Sequence, residues 1–536
     1  MALNKVLRRA KIKRRIRKKV TGTSLIPRLS VYRSNKQIYA QLIDDATGKT
    51  LASAGSFKQK ETQNVNKITQ ATMIGKKIAE KAQEVIDVSF YQPEIPYVNP
   101  NTGEVQLLDS TQMPSNDWLI SPRVGFNYDV KGDSTIQLRG GSGLFTGRFP
   151  FVWLGNQIGN PNSYFYQMVD PDYKFPQVWK TNLAVDQKLP LGFIGTIEGI
   201  YNNNLNAVHY YNANLDLPTG KFSGADTRSQ FARTDAGVRV NDNVSNGIVL
   251  TNKDGSYFKS LTLKLEYPYS KGVFGSFAWT TSNAKDFMSA GSIASGSWTS
   301  ARAVNGNNDL SLSTSDFVSP NRLVGMLGYK IEYGKKYGGA TSFSIGYVGN
   351  QGNPFTYTIS GDMNGDRVNG NELIFVPSQW QDIEFVPLTV GTRVYSKEEQ
   401  QAAFWNYVNQ DDYLKTRNGQ YAERNASVIP MLHRFDLSVV QDIYLNVKGK
   451  RNTLQIRADI LNFGNLLNDA WGVSQRATNP QILAFQSVVN NVPTYRLATE
   501  KFADGTTGLI KNTYSKNASV FDVWSAQLGI RYIFGK

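Results

Sequence analysis

Carboxylate and amide side chains gather in one short stretch of the sequence, between residues 362 and 372. Acidic or amide residues stand at its first, third and fifth positions, as in a calcium-binding loop, and hard cations prefer such oxygen ligands. The stretch departs from the EF-hand pattern, because Arg367 replaces the glycine of position 6 and the acidic residue falls at position 11 rather than 12. A calcium site and an ordinary turn-rich loop both stay open, and the departures favour the loop. The candidate calcium ligands are Asp362, Asn364, Asp366, Asn371 and Glu372.

The N-terminus carries the densest charge in the chain. Ten Lys and Arg residues and no acidic residue lie from Lys5 to Lys19. Residues 1–87 hold 20 basic and 6 acidic residues, whereas residues 88–536 hold 39 and 37, so most of the formal net charge of +16 belongs to the first part. Like charges at this density repel one another until a polyanion neutralises them, and counterion release from phosphate then supplies affinity. RNA binding is one hypothesis, and a solvated tail, a presequence or a localisation signal are the alternatives.

The elements that follow the basic run would position it. Period-2 alternation and turn residues predict three strands, at Arg28–Arg33, Gln37–Ile43 and Thr50–Ser53. A helix is predicted from about Asn64 to Val85, where apolar residues recur at spacings of four, four and three. Such a sheet, backed by a helix and preceded by a flexible arm, could lay cations along RNA phosphate. Tyr32 and Tyr39 could offer stacking faces to bases, although packing is the commoner role of a strand tyrosine.

A family resemblance lies in these same segments. The matching residues are Arg14 to Val20, Pro27 to Asp45 and Thr50 to Ala54. They closely resemble the bacterial large-subunit ribosomal protein family that binds 5S ribosomal RNA, the L18 family. The resemblance implies 5S rRNA binding in the central protuberance of the ribosome, through the arm and the sheet. The RNA-binding residues that follow are Arg8, Arg9, Lys11, Lys13, Arg14, Arg15, Arg17, Lys18, Lys19, Arg28, Arg33, Asn35, Lys36 and Tyr39.

The resemblance ends near residue 86. The family continues with another strand, which carries an aromatic and basic stretch, and with a final helix, whereas this chain continues after Asp87 with an unrelated sequence. We therefore expect a truncated module at residues 1–87 with an unpaired sheet edge, followed by a junction and loop at residues 88–118.

From residue 119 to residue 536 the sequence repeats a hairpin pattern. Pairs of roughly ten-residue strands with alternating apolar and polar positions recur five times, and one more strand follows. The predicted turns are Lys131–Asp133, Pro190–Gly192, Pro268–Lys271, Gly334–Gly338 and Asn446–Lys450. A soluble sandwich and an outer-membrane barrel both fit one apolar and one polar face. Short turns alternate with long connections, which favours the barrel.

Six segments of this part carry a second resemblance. They are Ser121–Asp129, Gln137–Gly141, Asn156–Asn160, Gly361–Asp366, Arg417–Asn425 and Asp459–Asn468. They resemble the Oar-like branch of the TonB-dependent outer-membrane receptors, and the resemblance runs from about Val88 to Lys536. It implies energised uptake of a bulky ligand, with outer-membrane lipid and an unknown transported ligand as partners. Eleven strands are half of the 22 expected for this class. The plug, the TonB-engaging segment and the first half of the barrel have no counterpart here, so we expect two unpaired edges.

Other chemistry has little support in the sequence. There is no cysteine, and the two histidines, His209 and His433, leave little for metal or acid–base chemistry. No catalytic constellation is found, so we expect no enzyme and no cofactor apart from the calcium hypothesis. No run of 18 apolar residues predicts a transmembrane helix, and no secretory signal peptide is recognisable. Ser396 and Glu399 predict a capping box that opens a helix reaching about Thr416.

These patterns together predict a chimera. The fold is mostly β: an antiparallel outer-membrane-type β-barrel portion of about 11 strands at residues 119–536, preceded by a small basic α+β module. The alternatives are a cytosolic ribosomal protein with an irrelevant fused tail, and a transporter piece whose start was mis-assembled. The barrel favours the outer membrane, whereas the N-terminal module favours the ribosome and the cytoplasm.

Overall fold

The computed structural model describes residues 20–23, 27–57, 60–63, 65–85, 94–98, 104–115, 117–147, 152–157, 165–242, 244–291, 293–333, 338–447, 449–517 and 519–535. The chain divides into two compact units, and the boundary between them falls at residues 92 and 93. The first unit is the basic α+β module, and the second contains the large sheet.

In the described residues, the N-terminal unit is a three-stranded antiparallel sheet with two helices. The strands are β1 (Arg28–Arg33), β2 (Ile38–Asp44) and β3 (Lys49–Gly55), and the helices are α1 (Lys60–Gln63) and α2 (Lys67–Val85). All three predicted strands are present. The main helix starts three residues later than predicted, because the side chain of Asn66 accepts hydrogen bonds from the backbone N–H groups of Ile68 and Thr69 at 3.1 and 2.9 Å. This N-cap satisfies donors that the first turn of a helix leaves free.

The core of this unit lies between α2 and the sheet. Ile74 and Ile78 of the helix are buried against Ala40 and Leu42 of β2 and Ala52 of β3. The spacing of four residues places both isoleucines on one helix face, as the sequence predicts. The opposite face of the helix carries charged and polar residues. The burial of this small apolar set holds the helix on the sheet.

The second unit is built on eleven antiparallel strands in chain order. They are β4 (Arg123–Asp129), β5 (Ile136–Thr146), β6 (Gln177–Lys188), β7 (Ile194–Leu205), β8 (Tyr257–Ser270), β9 (Val273–Asp286), β10 (Asn321–Tyr333), β11 (Gly339–Asn350), β12 (Leu432–Val447), β13 (Lys450–Leu461) and β14 (Ser525–Ile533). Each strand pairs with its neighbours in sequence, so the five predicted hairpins and the terminal strand are confirmed. In the described residues, β4 pairs only with β5 and β14 only with β13.

One predicted turn is placed wrongly. Strand β8 continues through Pro268 to Ser270, and the turn consists of Lys271 and Gly272, whose φ values are 50° and 89°. Two positive φ values match the right-handed twist of the strands in a two-residue hairpin. The pairing of β8 with β9 shifts register between Tyr267 and Ser270, and this irregularity accommodates a proline that has no N–H to donate.

The register gives the sheet one apolar face across many strands. From β8 to β12, one row of directly paired residues is Leu265, Phe277, Gly325, Tyr347 and Phe435. Thr262 stands three residues before Leu265 on β8 and lies on the opposite face. It begins a polar row of directly paired residues that continues with Thr280, Arg322 and Asn350. On the same polar face, Arg139 forms ion pairs with Asp186 at 2.8 Å and with Glu198 at 3.4 Å. Because apolar and polar side chains alternate along each strand, the sheet has one apolar face and one polar face.

The long connections pack together. We call residues 165–176, 206–256, 287–320, 351–431 and 462–524 the loop cluster. Two apolar cores lie in it, one around Phe404, Tyr407 and Leu414 and the other around Tyr210, Ile248 and Trp298. Apart from the helix that opens at Ser396, the sequence predicts these segments only as connections, because no period-2 or period-3.6 pattern indicates their burial.

The remaining elements of the second unit are short. The other strands are Glu94–Val98, Val105–Asp109, Phe165–Val169, Val208–Asn212, Gly220–Lys221, Ser229–Gln230, Asn246–Asn252, Ser313–Thr314, Pro354–Phe355, Ile359–Ser360, Phe375–Val376, Glu384–Phe385, Leu388–Val390, Arg393–Tyr395, Gln420–Tyr421, Ser427–Val428, Gln475–Ala477, Leu483–Val489, Val492–Leu497, Thr499–Lys501, Thr507–Leu509 and Tyr514–Lys516. The helical segments are Val152–Gly155, Pro190–Gly192, Asp235–Val238, Ala294–Thr299, Trp380–Asp382, Lys397–Gln410, Leu414–Thr416 and Phe463–Leu467.

The longest of these helices, Lys397–Gln410 (α3), has the predicted capping box. Ser396 accepts a hydrogen bond from the N–H of Glu399, and the Glu399 side chain accepts one from the N–H of Ser396. The helix ends six residues before the predicted Thr416. Asp411 leaves the helical conformation, and its carboxylate accepts hydrogen bonds from the next available N–H groups, those of Tyr413 and Leu414. Across the described residues, no helix is long and apolar enough to span a membrane.

We expect the substitution Ile74→Ala to loosen the N-terminal unit. Ile74 is 1% exposed, and truncating such a residue costs about 2–5 kcal/mol. Hydrogen exchange of the β2 and β3 amides in the full chain should speed up accordingly. The matched control is Ile68→Ala on the same helix, because Ile68 is 80% exposed and its loss should change exchange little. Equal effects of the two substitutions would contradict the assigned packing of α2 on the sheet.

Candidate functional site

The face of the N-terminal sheet opposite α2 carries two neighbouring tyrosines. Tyr32 of β1 and Tyr39 of β2 are directly paired, and their ring centroids lie 6.4 Å apart. The Tyr39 hydroxyl donates a hydrogen bond to the side-chain oxygen of Gln37. Tyr32 is exposed and Tyr39 is half-buried. Aromatic rings exposed on a sheet surface are able to stack on unpaired bases.

The turn between β1 and β2 presents polar groups to solvent. Asn35 and Lys36 are exposed there, next to the exposed Arg33 at the end of β1. The Ser34 hydroxyl accepts hydrogen bonds from the N–H groups of Lys36 and Gln37 at 3.3 and 3.0 Å, which fixes the turn. The side chains of the turn therefore project from a defined backbone.

Arg28 is placed differently from the other predicted RNA-binding residues. Its guanidinium donates to both carboxylate oxygens of Asp45, at 2.7 and 2.9 Å, and its side chain is only 10% exposed. The Asp45 carboxylate also accepts from the N–H of Gly22 at 2.9 Å. The pair ties the start of β1 to the segment before it. The remaining predicted residues Arg8, Arg9, Lys11, Lys13, Arg14, Arg15, Arg17, Lys18 and Lys19 lie outside the described residues.

The five predicted calcium ligands meet inside the loop cluster. Asp362, Asp366 and Glu372 each place a carboxylate oxygen within 4.8 Å of the other two. Asp362 is half-buried, whereas Asp366 and Glu372 are fully buried, as are the two amides Asn364 and Asn371. The spacing in the sequence therefore identified residues that the fold does bring together.

Burial changes the acidity of this group. Removal from water, together with the negative charges within the group, raises the pKa of Asp366 to about 6 and that of Glu372 to about 8. Burial raises the pKa of Asp362 as well, against the lowering effect of hydrogen bonds from the N–H groups of Gly365 and Arg367. Three carboxylates so close together are costly when all are ionised.

Arg367 fills the role that glycine has at the corresponding position of an EF-hand. Its φ is 68°, the left-handed conformation that glycine adopts most easily. Its guanidinium donates to the backbone oxygen of Arg233 at 2.9 Å and pairs with Asp235 at 2.9 Å. These two contacts hold the strained residue in place.

A polar cavity lies elsewhere in the loop cluster. Its volume is about 450 Å³, and Arg302, Asp316, Arg424 and Asn425 are among its lining residues. Arg424 pairs with Asp286 and donates to the backbone oxygen of Phe287 at 3.0 Å. Burial lowers the pKa of Arg302 from its ordinary value. Two arginines at one cavity favour a ligand with anionic or carbonyl oxygens.

The buried ion pairs of the loop cluster were missed at the sequence level. Arg228 is fully buried and pairs with Asp226 at 2.8 Å, and the hydroxyl of Tyr421 donates to Asp226 at 2.9 Å. Tyr357 donates to Asp411 at 2.6 Å in the core around Phe404. Neither contact has a sequence signal, because the partners belong to distant segments or to no recognisable motif.

The geometry defines two classes of protein in one chain: a small basic α+β module with an exposed polar turn, and a large two-sided antiparallel sheet with packed connections. Residues 3–91 match the family described as ribosomal L18 of archaea, bacteria, mitochondria and chloroplasts. Residues 150–479, more than half of the chain, match the family described as the outer membrane beta barrel domain. The chain therefore belongs to both families and is a chimera of a ribosomal L18 domain and an outer-membrane β-barrel domain.

Curated relatives match the N-terminal unit. Large ribosomal subunit protein uL18 of Bacteroides thetaiotaomicron is 56% identical over 80 residues, which are 15% of this chain and 68% of that protein. The uL18 protein of Porphyromonas gingivalis is 54% identical over 82 residues, 15% of this chain and 70% of that protein. The predicted family of residues 1–87 is thus confirmed.

Solved structures match the chain weakly. The outer membrane transporter YddB from Escherichia coli is 11% identical with a TM-score of 0.37, over 94% of this chain and 52% of that one. The ferric enterobactin receptor PfeA from Pseudomonas aeruginosa, as a G324V mutant, is 11% identical with a TM-score of 0.30, over 64% of this chain and 34% of that one. The chain thus spans about half the length of the transporter and a third of the receptor. The family assignment rests on the domain match.

His209 gives the loop cluster a pH dependence. It lies on the strand Val208–Asn212, opposite Thr251, and is buried. Burial, with the nearby Lys253 charge, lowers its pKa from 6.5 to about 3. A histidine with a lowered folded-state pKa binds its proton more readily when unfolded, so the stability it contributes is present above pH 6.5 and is lost as the pH falls from there toward 3.

We expect His209 by itself to make opening of the loop cluster easier at pH 5 than at pH 7 by about 2 kcal/mol, whereas the raised pKa values of Asp366 and Glu372 act in the opposite direction. Hydrogen exchange of the Val208–Asn212 and Asn246–Asn252 amides, corrected for intrinsic rates, measures the opening at both values. His209→Gln should flatten this dependence, whereas His433→Gln on the sheet should leave it unchanged. The same pH dependence of exchange in the unaltered chain and in His209→Gln would contradict the role of His209.

Proposed function

We propose that the second unit acts as the membrane-spanning part of a TonB-dependent receptor that takes up a ligand across the outer membrane. The apolar face that continues from β8 to β14 carries this proposal. Two residues along β11 from Tyr347 and on the same face, Ile345 pairs with Leu437, and Leu437 pairs with Ile460 of β13. The apolar face therefore continues over the strands that follow. Lipid requires such a face, because every backbone polar group must pair within the sheet while the side chains meet hydrocarbon.

An apolar concavity on this face supports the same proposal. Its volume is about 760 Å³, and it is lined by side chains such as Leu265, Phe277, Leu327, Tyr347 and Phe435. These side chains belong to the rows that the register places on one side of the sheet. In water, such an exposed apolar area would favour aggregation, whereas in a bilayer it matches acyl chains.

The ligand would meet the loop cluster. We place it at the polar cavity lined by Arg302 and Arg424, where charged and amide groups converge from several connections. A compound with carboxylate, phosphate or carbonyl oxygens fits two guanidinium groups. We propose no enzymatic step. We assign neither histidine to catalysis in this proposal: His433 contacts the Tyr347 hydroxyl at 2.8 Å on the strands, and His209 is buried in an uncharged form.

The apolar face predicts how charge is tolerated along one strand. We expect Leu263→Arg to destabilise the sheet by about 2–4 kcal/mol in a bilayer or micelle, because it places a charge in hydrocarbon. The matched control is Thr262→Arg, on the neighbouring position and the opposite face, where Lys264 already stands. The measurement is urea unfolding of the full chain in detergent micelles, followed by tryptophan fluorescence. Equal tolerance of both substitutions, or a greater loss for Thr262→Arg, would reverse the assigned faces.

We also propose that the N-terminal unit binds 5S rRNA, as a second function with its own observation. The exposed Arg33, Asn35 and Lys36 stand beside Tyr32 at one end of a sheet that belongs to the ribosomal L18 family. Cations near phosphate supply affinity and exposed rings supply base contacts. The basic arm before residue 20 would add to the same interaction.

Binding should depend on the position of charge and not only on its amount. We expect Lys36→Ala to weaken 5S rRNA binding by the full chain several-fold and to lower the salt slope by about 0.7–0.9. The control is Lys76→Ala, which removes one charge from the exposed surface of α2. Filter binding to 5S rRNA and to an unrelated RNA of equal length, at several salt concentrations, gives both quantities. No preference for 5S rRNA, or equal effects of the two substitutions, would refute this function.

A further inference from the structure

We propose that Asp362, Asp366 and Glu372 bind one calcium ion inside the loop cluster, together with the side-chain oxygen of Asn371. All four residues belong to a single connection, between β11 and β12. The proposal does not depend on the uptake function or on RNA binding, because it rests only on the groups in this connection and on those packed against it.

Two buried oxygens in the group have no protein partner. Glu372 and Asn371 are both 0% exposed, and neither Oε2 of Glu372 nor Oδ1 of Asn371 accepts a hydrogen bond in the described part of the chain. A buried polar atom without a partner costs about 1–3 kcal/mol, and more when it is charged. Both atoms are acceptors, so a cation supplies what each of them lacks.

Other atoms of Glu372 and Asn371 form hydrogen bonds with the protein. These bonds fix the orientation of the two side chains and therefore of their unpartnered oxygens. Oε1 of Glu372 accepts from the N–H groups of Met363 and Asn364 at 2.8 and 3.1 Å. The Nδ2 group of Asn371 donates to Oδ2 of Asp366 at 2.9 Å. Because the amide donates through its nitrogen, its oxygen is left for another partner. The group is preorganised by its own loop before any ion arrives.

Nearby arginines, among them Arg367 and Arg302, act on the charges of the group without forming ion pairs with it. Within the described residues, none of the three carboxylates takes part in an ion pair. The buried Arg228, whose charge acts on Glu372, is already paired with Asp226 at 2.8 Å. The guanidinium of Arg233 points at backbone oxygens, since it donates to those of Asp362 and Met363. A divalent cation offsets the repulsion that three close carboxylates otherwise impose.

The donor set favours calcium over other metals. It consists of oxygen atoms from carboxylates and an amide and contains neither thiolate nor imidazole, which excludes the preferred ligands of zinc and copper. Calcium accepts irregular arrangements of six to eight oxygens, whereas magnesium requires a near-ideal octahedron and retains several waters. A group that offers amide and carboxylate oxygens at several angles therefore suits calcium better.

The ion would join three connections. The N–H of Phe231 donates to the backbone oxygen of Asn364 at 2.8 Å, and Asn371 donates to the side chain of Asn307 at 3.0 Å. The N–H of Leu373 donates to the backbone oxygen of Ala303 at 2.9 Å. Residues 362–373 thus contact two other connections, one near residue 231 and the other near residue 305. Binding should slow the opening of all three segments together.

The test uses the full chain in detergent micelles, stripped of metal with a chelator and dialysed. Calcium is titrated by calorimetry, and hydrogen exchange is measured with and without it. We expect one calcium ion per chain, a raised unfolding temperature and slower exchange at residues 228–235, 303–309 and 362–373. Glu372→Gln keeps the shape of the side chain and should weaken binding at least about tenfold. The control Asp412→Asn removes an exposed carboxylate of the same connection and should leave affinity unchanged.

Several results would overturn the proposal. One is that the chain binds no calcium up to about 1 mM, the weak limit of calcium modules. Others are an unchanged calcium affinity in Glu372→Gln, or a loss of affinity in Asp412→Asn equal to that in Glu372→Gln. Tighter binding of magnesium than of calcium would also overturn it. If Glu372→Gln does not fold, hydrogen exchange of the unaltered chain decides, because slower exchange confined to the three named segments supports the site and slower exchange elsewhere refutes it. Uptake and RNA binding have separate readouts, so their failure leaves this result intact.

Discussion

The second unit depends on the register of its antiparallel strands. Side chains alternate along each strand, so a shift of one residue between neighbours would move a whole strand to the wrong face. Ladders such as Leu265 with Phe277 and Tyr347 with Phe435 keep the apolar side continuous. The tight turn at Lys271 and Gly272 fixes the register of β8 against β9, and the irregularity at Pro268 absorbs the residue that cannot donate. The loop cluster connects the ends of these strands, so the pairings fix where each of its segments begins and ends.

The loop cluster uses a different kind of cohesion. Its cores combine buried aromatic side chains with the ion pair of Arg228 and Asp226, and Arg424 joins the cluster to Asp286 at the end of β9. Removing one member of a buried pair leaves an uncompensated charge, so such contacts allow few alternative arrangements of the segments. The long connections are therefore packed as a domain would be. A ligand entering the cavity beside Arg302 would meet walls that already have fixed positions.

Periodic features and local motifs could be predicted from the sequence, whereas contacts between distant segments could not. The alternation of Leu261, Leu263 and Leu265 predicts their strand because alternation is a local property of the sequence. The spacing of Ile74 and Ile78 predicts their helix for the same reason. The end of α3 at Gln410 was missed because Asp411 competes for backbone donors, an effect that apolar periodicity does not carry. The burial of Tyr210 and Phe404 depends on segments far apart in sequence.

The acidic loop was predicted in part. Spacing identified the five oxygen-bearing residues that the fold brings together, whereas Arg367 counted against a calcium loop. The structure shows Arg367 in the left-handed conformation, with its guanidinium held by Arg233 and Asp235. Contacts made by a side chain from another connection thus compensate for the missing glycine. No local pattern contains that information.

The number of strands in the sheet has a consequence for parity. Neighbouring strands alternate in direction, and eleven is odd, so the first strand β4 and the last strand β14 run the same way. These two edges cannot join each other in an antiparallel ladder. Closing the sheet into a ring with antiparallel pairing throughout requires an odd number of additional strands, whatever supplies them.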